Sequence, residues 1–238
     1  MKVHAIFEGR TEEKVLKKLI PLFDGLSFEL TPSNGKTEIP KTIRGKLGPL
    51  IGTESLRVLI LRDLDMHEGE TIDQVVQSTK TALIQLFRNR YALLNPDLNR
   101  LGKFKNVYIW HSENDPDIRI ALHIATHRWS ESFIKATIDD YILTIALLRD
   151  ISDELAREIG VNGDCVIKKV TEEIPTILKN NGIIMKEAKD YVRLYAAIIK
   201  SHTSPPVFAE KVLNQNGVNE NILKEHLNSL FAALEFLQ

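Results

Sequence analysis

The sequence predicts an α/β fold: a mostly parallel sheet of about four strands with helices on both faces over residues 1–117, followed by a helical C-terminal region over 118–238. Three observations predict it. Short apolar runs alternate with amphipathic runs through the first 110 residues, the order of a β-α-β-α chain. The most apolar of those runs, Leu56 to Leu61, lacks polar alternation, as expected of a strand buried on both faces of a parallel sheet. Beyond about residue 117 the apolar positions fall at helical spacing instead.

The elements follow in order. Val3 to Phe7 is a short apolar run closed by Glu8-Gly9. Thr11 is a good N-cap, Glu12 and Glu13 suit the positive end of a helix, and Val15, Leu16, Leu19 and Ile20 share one helical face. Leu26 to Leu30 reads as a second strand, Pro32-Ser33-Asn34-Gly35 as a loop, and Pro40 to Leu50 as a short helix. Leu56 to Leu61 is the third strand and ends in Arg62-Asp63-Leu64-Asp65. A long helix is expected over Thr71 to Leu94 and a fourth strand over Val107 to Trp110. Helical runs then cover Ser130 to Ile159, Thr171 to Leu178, Met185 to Ile199, Val207 to Leu213 and Ile222 to Leu237, punctuated by Gly160, Gly163, Gly182, Pro205-Pro206 and Gly217.

Composition narrows the function classes. Apolar residues are 43% and charged residues 26% of 238, which excludes a disordered, collagenous or coiled-coil chain. No stretch approaches the roughly 18 uninterrupted apolar residues of a membrane span, so no membrane partner is expected. The opening residues turn acidic too soon for a signal peptide, and a cytoplasmic protein is expected. The single cysteine, Cys165, excludes an internal disulfide framework and a multi-cysteine zinc site and reads as a buried or idle thiol. The formal charge of −1 hides an asymmetry: residues 1–110 hold 17 Lys+Arg against 13 Asp+Glu, and residues 111–238 hold 14 against 19. The first half is therefore the part suited to a polyanion.

Two acidic sites fall at predicted strand ends. Open parallel sheets bind ligands beyond the carboxyl ends of their strands. Glu8 ends the first strand, and Asp63 and Asp65 end the third. Residues i and i+2 of an extended chain point the same way, about 6.5 to 7 Å apart, so the two aspartates are expected to face one side. Gathered carboxylates repel one another, and a hard divalent cation such as Mg²⁺ removes that cost. Gly9 suits a tight strand-to-helix turn, and the helix after it points its amides at an anion.

Phe7-Glu8-Gly9-Arg10-Thr11-Glu12-Glu13, with Arg62-Asp63-Leu64-Asp65 after an apolar strand, resembles the Toprim domain. That is the catalytic fold of topoisomerases, primases and the overcoming-lysogenisation-defect nucleases. The likeness is greatest to a prokaryotic family of uncharacterised Toprim-like proteins, which share a Gly-Lys in the second loop; Gly35-Lys36 stands there in this chain. The resemblance covers about residues 1–110. It implies Mg²⁺ or Mn²⁺ as cofactor, nucleic acid as partner, and cleavage or transfer of phosphodiesters. It places Glu8 as general acid or base or metal ligand and Asp63 and Asp65 as metal ligands. The family carries a further acidic motif after the fourth strand. That region reads His111-Ser112-Glu113-Asn114-Asp115-Pro116-Asp117, where Glu113, Asp115 or Asp117 would supply a ligand for a second metal.

Arg10, Lys36 and Arg62, with Lys41, stand near the strand ends as phosphate-contacting groups, although Arg62 also suits a plain ion pair with Asp63 or Asp65. Arg88-Asn89-Arg90-Tyr91 and Arg100, Lys103, Phe104 and Lys105 add a basic, partly aromatic surface. His67 and His111 are candidate proton carriers. His123 and His127 share a face if helical, but no third zinc ligand accompanies them. Gly35-Lys36-Thr37 ends like a phosphate loop, yet Leu30 occupies the place of its first glycine. Two other functions fit the chain. One is a non-catalytic Toprim-like module that binds nucleic acid, or a protein partner through the helical C-terminal region, in a prokaryotic defence or mobile-element system. The other is a haloacid-dehalogenase-type phosphatase, which uses an Asp-x-Asp after its first strand.

Overall fold

The apolar run that opens the chain becomes an inner strand. In the computed structural model, which describes residues 1–88 and 94–238, β1 (Lys2–Phe7) lies between β2 (Ser27–Pro32) and β3 (Arg57–Arg62), parallel to both. Every residue of β3 is buried, as its unbroken apolar run requires. Helix α1 (Arg10–Leu19) joins β1 to β2, and α2 (Ile39–Leu47) joins β2 to β3. After α3 (Ile72–Phe87) come β4 (Asn99–Arg100), β5 (Val107–His111) and β6 (Arg119–Ile124).

Among the described residues the sheet has six strands in the order β2-β1-β3-β6-β5-β4, not four. β6 is parallel to β3, whereas β5 runs antiparallel to both β6 and β4. The predicted fourth strand is therefore an antiparallel hairpin partner, and the strand that continues the parallel sheet is one the sequence pattern did not separate. Helix α3 stops at Phe87 rather than at Leu94; residues 89–93 lie outside the described part.

The chain divides into two compact units: Met1–Thr126 with Asn228–Gln238, and His127–Leu227. The division falls after Thr126 rather than after residue 117, because β6 belongs to the sheet. The last helix belongs there too. The run predicted as one helix from Ile222 breaks into α10 (Glu220–His226) and α11 (Asn228–Leu237), and α11 packs on β3, β5 and β6. Phe231 of α11 meets Phe23 at 5.5 Å between ring centroids, so α11 shares a face with the α1 connection. α2 and α3 pack together, on the opposite face that right-handed crossovers dictate. Both ends of α11 are tied down. Arg57 donates to the carbonyls of Leu237 and Gln238, and its cross-strand neighbour Arg119 to that of Phe236. These cations meet the negative helix end. At the other end Ser229, His123 and Asn106 form a buried polar knot, with His123 Nε2 to Ser229 Oγ at 3.0 Å.

The second unit is all helix: α4 (Ile138–Ala146), α5 (Arg149–Arg157), α6 (Gly163–Lys168), a π-helical turn over Lys169–Glu173, α7 (Ile174–Asn180), α8 (Ala188–Ile198), α9 (Pro205–Leu213) and α10. Its core centres on Tyr195, which stacks 5.2 Å from Phe208 and donates to Ser152 Oγ at 2.7 Å. Asp140 caps α4 through a capping box with Thr137 and accepts the Trp129 N–H as well. It is fully buried, and burial pushes its pKa up to about 6. Ser130 to Thr137, predicted as the start of a helix, is instead the irregular lead-in to this cap. Cys165 is exposed rather than buried.

Candidate functional site at the carboxyl rim

The strand order reverses at β1. One connection leads from β1 outward to β2, and the next returns past β1 to β3. The crevice beyond the carboxyl ends of β1 and β3 is thus the switch point where open α/β sheets bind ligands. Register explains what meets there. Ile6 pairs with Ile60, so two residues on, Glu8 comes opposite Arg62. Glu8 Oε1 accepts from Arg62 Nε at 3.1 Å and from the Asp63 N–H at 3.2 Å.

Glu70 completes the arrangement, and no spacing rule singled it out. Its Oε1 lies 3.4 Å from Arg62 Nη2, its Oε2 accepts the Asp65 N–H at 3.0 Å, and its own N–H donates to the Asp65 carbonyl. Gly69 makes this loop with φ 71°, a left-handed conformation that suits glycine. Arg62 is therefore buried, 5% exposed, between two carboxylates. This corrects two expectations: its partners are Glu8 and Glu70, not Asp63 or Asp65, and its guanidinium is occupied rather than open to a phosphate. Desolvation raises the Glu8 pKa, against the opposing pull of Arg62 and of the Asp63 amide.

The strand ends at Arg62, so Asp63 and Asp65 stand on the following loop with buried Leu64 between them, and strand alternation does not govern where they point. Lys36 reaches Asp65 at 3.5 Å and Glu68 at 2.5 Å, and the hydrogen bond to Glu68 raises its pKa. Gly35, before Lys36, has φ 121°, and its N–H donates to the Glu8 carbonyl at 3.2 Å. Arg10 is exposed at the start of α1. The N-cap of α1 is Gly9, not Thr11, which is buried in the first turn. Gly9 is extended, with φ −146°, so it needs no glycine conformation. Lys41 is exposed and paired with Glu38.

The acids that follow β5 are at the wrong end. Because β5 is antiparallel, His111 pairs with Arg119, the first residue of β6, and Asp117 accepts from Leu56, just before β3. Glu113, Asp115 and Asp117, with His111, therefore sit at the amino rim, across the length of the sheet from Asp63. They supply no second-metal ligand there. The same reversal carries Lys103 and Lys105 the other way: the β4–β5 turn that holds them lies beside the end of β6, at the carboxyl rim. His123 is on strand β6, not on a helix with His127.

Glu8, Asp63 and Asp65 thus share one rim, but they do not converge on one point. Among the described residues no group of three or more His, Cys, Asp or Glu side chains is placed to hold a metal ion. Arg62 and Lys36 stand as the counter-charges instead.

The structure is similar to the crystal structure of a hypothetical protein from Pyrococcus horikoshii OT3, at a TM-score of 0.59 and 15% identity over 100% of this chain and 98% of that one. A likeness at that identity concerns the fold. No family model matches the chain, and no curated protein matches it.

Proposed function

We propose that the carboxyl rim is a Toprim-type phosphodiesterase centre that cleaves nucleic acid with Mg²⁺ or Mn²⁺. One observation carries the reading: the Asp63 backbone N–H donates to Glu8 Oε1, so the early glutamate is tied to the backbone of the loop that carries the two later aspartates, at the switch point of the sheet.

The donor chemistry supports a hard cation. Mg²⁺ is commonly held by one or two carboxylates and keeps several waters, and Asp63 with Asp65 supplies that number. Glu8 does not fit as a third ligand while its Oε1 holds both Arg62 Nε and the Asp63 amide. It fits as a group that handles a proton, since a raised carboxyl pKa makes a better base near neutral pH. When bound, the ion offsets phosphate charge and acidifies a water. Glu8 accepts the proton of the attacking water. Arg62, held between Glu8 and Glu70, fixes where that carboxylate stands. Arg10 on one side, and Lys103 and Lys105 on the other, lie along the same rim as contacts for the nucleic-acid backbone.

The test is digestion of DNA and RNA, single- and double-stranded, with Mg²⁺ or Mn²⁺, together with Mn²⁺ titration followed by electron paramagnetic resonance. Cleavage and Mn²⁺ binding, both lost in Asp63→Asn, are expected. A wild-type protein that binds no Mn²⁺ ends the reading. A second reading, a non-catalytic nucleic-acid-binding module, is favoured by Arg62 and Lys36 already neutralising the acids. Salt-dependent binding without turnover would select it.

A further inference from the structure

The turn between β4 and β5 brings two lysines and one ring to the carboxyl rim. The sheet fixes its place there. Arg62, the last residue of β3, pairs with Ile124 of β6, and the Ile124 N–H donates to the Asn106 carbonyl at 2.9 Å. The turn therefore stands two strand spacings, about 10 Å, from the end of β3. It is also held firmly. Buried Asn106 donates from Nδ2 to the Ile124 carbonyl at 2.9 Å and to Ser229 Oγ of α11 at 3.2 Å. The Leu101 N–H donates to the Val107 carbonyl and the Phe104 N–H to that of Leu101, while Gly102 takes φ 52° between them.

Charge along the rim is sorted by strand. Glu8, Asp63, Asp65, Glu68 and Glu70 follow β1 and β3. From Leu98 to Trp110 the charged residues are Arg100, Lys103 and Lys105, with no acid among them. Two acids border this stretch. Asp97 is taken by Lys80 at 2.7 Å, and Asp73 acts with Arg100 on the Tyr108 hydroxyl. Ahead of Ser229 in the chain, Lys224 and Glu225 cancel. Lys103 and Lys105 are exposed, and among the described residues neither amine is in an ion pair. Phe104 stands between them, partly exposed. Lys103 Nζ lies over its ring, 5.5 Å from the centroid, and no aromatic ring among the described residues stacks on it.

That combination discriminates among nucleic acids. A lysine on each side of one ring suits phosphates on either side of a base, and the ring suits the base itself. In a duplex the bases are paired and stacked on one another, so a ring at the rim meets only sugar and phosphate. A single strand can splay its bases and present their faces. One ring and two amines fall well short of the roughly 800 Å² per partner of a stable protein interface.

We propose that the Lys103-Phe104-Lys105 turn is a stacking platform that selects single-stranded nucleic acid for the carboxyl rim. The inference rests on the proposed function, which brings nucleic acid to this rim. The strand then runs from the acids beyond β3, across the end of β6, to Phe104.

Fluorescence anisotropy of the full chain in EDTA tests this without cleavage, with a labelled oligothymidine and a blunt duplex of equal length as probes. The wild type should bind the single strand more tightly than the duplex. Phe104→Ala should weaken single-strand binding by roughly fivefold or more, the effect of losing one stacked base, and leave the duplex unchanged. Phe104→Trp should keep the single-strand preference. Each of Lys103→Gln and Lys105→Gln should weaken binding of both probes and lower the single-strand salt slope by about 0.7. All three side chains reach solvent, so circular dichroism and thermal melts should match the wild type. The proposal is overturned by a wild type that binds neither probe or prefers the duplex, and by a Phe104→Ala variant that is unchanged or loses both probes equally. Mn²⁺ titration keeps the two readings apart. Mn²⁺ binding and cleavage with no effect of Phe104→Ala removes the platform and leaves the metal centre. A Phe104-dependent single-strand preference without Mn²⁺ binding removes the metal centre and leaves the platform.

Discussion

Glu8 and Arg62 face each other across the β1–β3 pair, Oε1 to Nε at 3.1 Å, with Glu70 closing on the same guanidinium from the far side. Two carboxylates that are mostly out of water share one cation. Removing that cation leaves both acids to repel each other at the rim. Arg62→Met should cost about 3 kcal/mol in urea unfolding, the size seen when one partner of a buried ion pair is lost. Adding Glu8→Gln should recover part of it. If the double variant is no more stable than the single, the two residues are not coupled.

Lys36 contests the rim with any bound cation, since it contacts Asp65. Under the proposed function, Lys36→Gln should tighten Mn²⁺ binding by roughly fivefold, the effect of about 1 kcal/mol of Coulomb repulsion between partly solvated charges. Calorimetric titration of both proteins reads this directly. Unchanged or weaker affinity would show that Asp65 does not take part in holding the ion.

The two units should answer acid with opposite signs. Burial takes the His123 pKa from 6.5 down to about 4. Its folded form stays neutral while the unfolded form gains a proton, so stability is lost as pH falls from 6.5 towards 4. Asp140 goes from 3.8 up to about 6. There the folded form keeps a proton that the unfolded form releases, so stability falls as pH rises through that window. The slope in each case is at most about 1.4 kcal/mol per pH unit. Hydrogen exchange at pH 6.5 and pH 5, corrected for intrinsic rates, should show β6 less protected at the lower pH and α4 more protected.

Glycine positions separate close packing from plain flexibility. A Cβ on Gly163 would sit 2.5 Å from the Asp153 amide nitrogen and 2.7 Å from the Ser152 carbonyl carbon, so α5 and α6 would have to part. Gly163→Ala should lower stability by about 1–3 kcal/mol. Gly45, exposed in α2, has open space around its Cβ position, and Gly45→Ala should raise stability by about 0.5–1 kcal/mol. Thermal melts of the two variants should move in opposite directions.

Much of the sheet was legible because strands buried on both faces advertise themselves. Leu56 to Leu61 and Val3 to Phe7 need no partner to be recognised, and the polar residues that follow each fix where the rim lies. Glu8, Asp63 and Asp65 were accordingly found as rim residues. Glu70 was not, because its role comes from a loop conformation set by Gly69 and not from any spacing. Arg62 was read as reaching outward, since a sequence does not record that a carboxylate closes over it from either side. The expectation of no membrane partner rested on the lack of a span, which says nothing of contact with a membrane surface.

Local pattern by itself determined that the first half alternates strand and helix, that most of the second half is helical, and that three acids follow two strands. These follow from side-chain periodicity and from carboxylates placed after apolar runs. Only the tertiary structure decided the direction of β5, and with it that Glu113 and Asp115 stand at the opposite rim while the turn that holds Lys103 and Lys105 lies at the carboxyl rim. It also decided that α11 returns to cover β3, β5 and β6. Strand direction and helix docking depend on hydrogen bonds and burial between residues far apart in the chain, such as Arg57 with Leu237, and an amphipathic stretch looks the same whichever surface it finally covers.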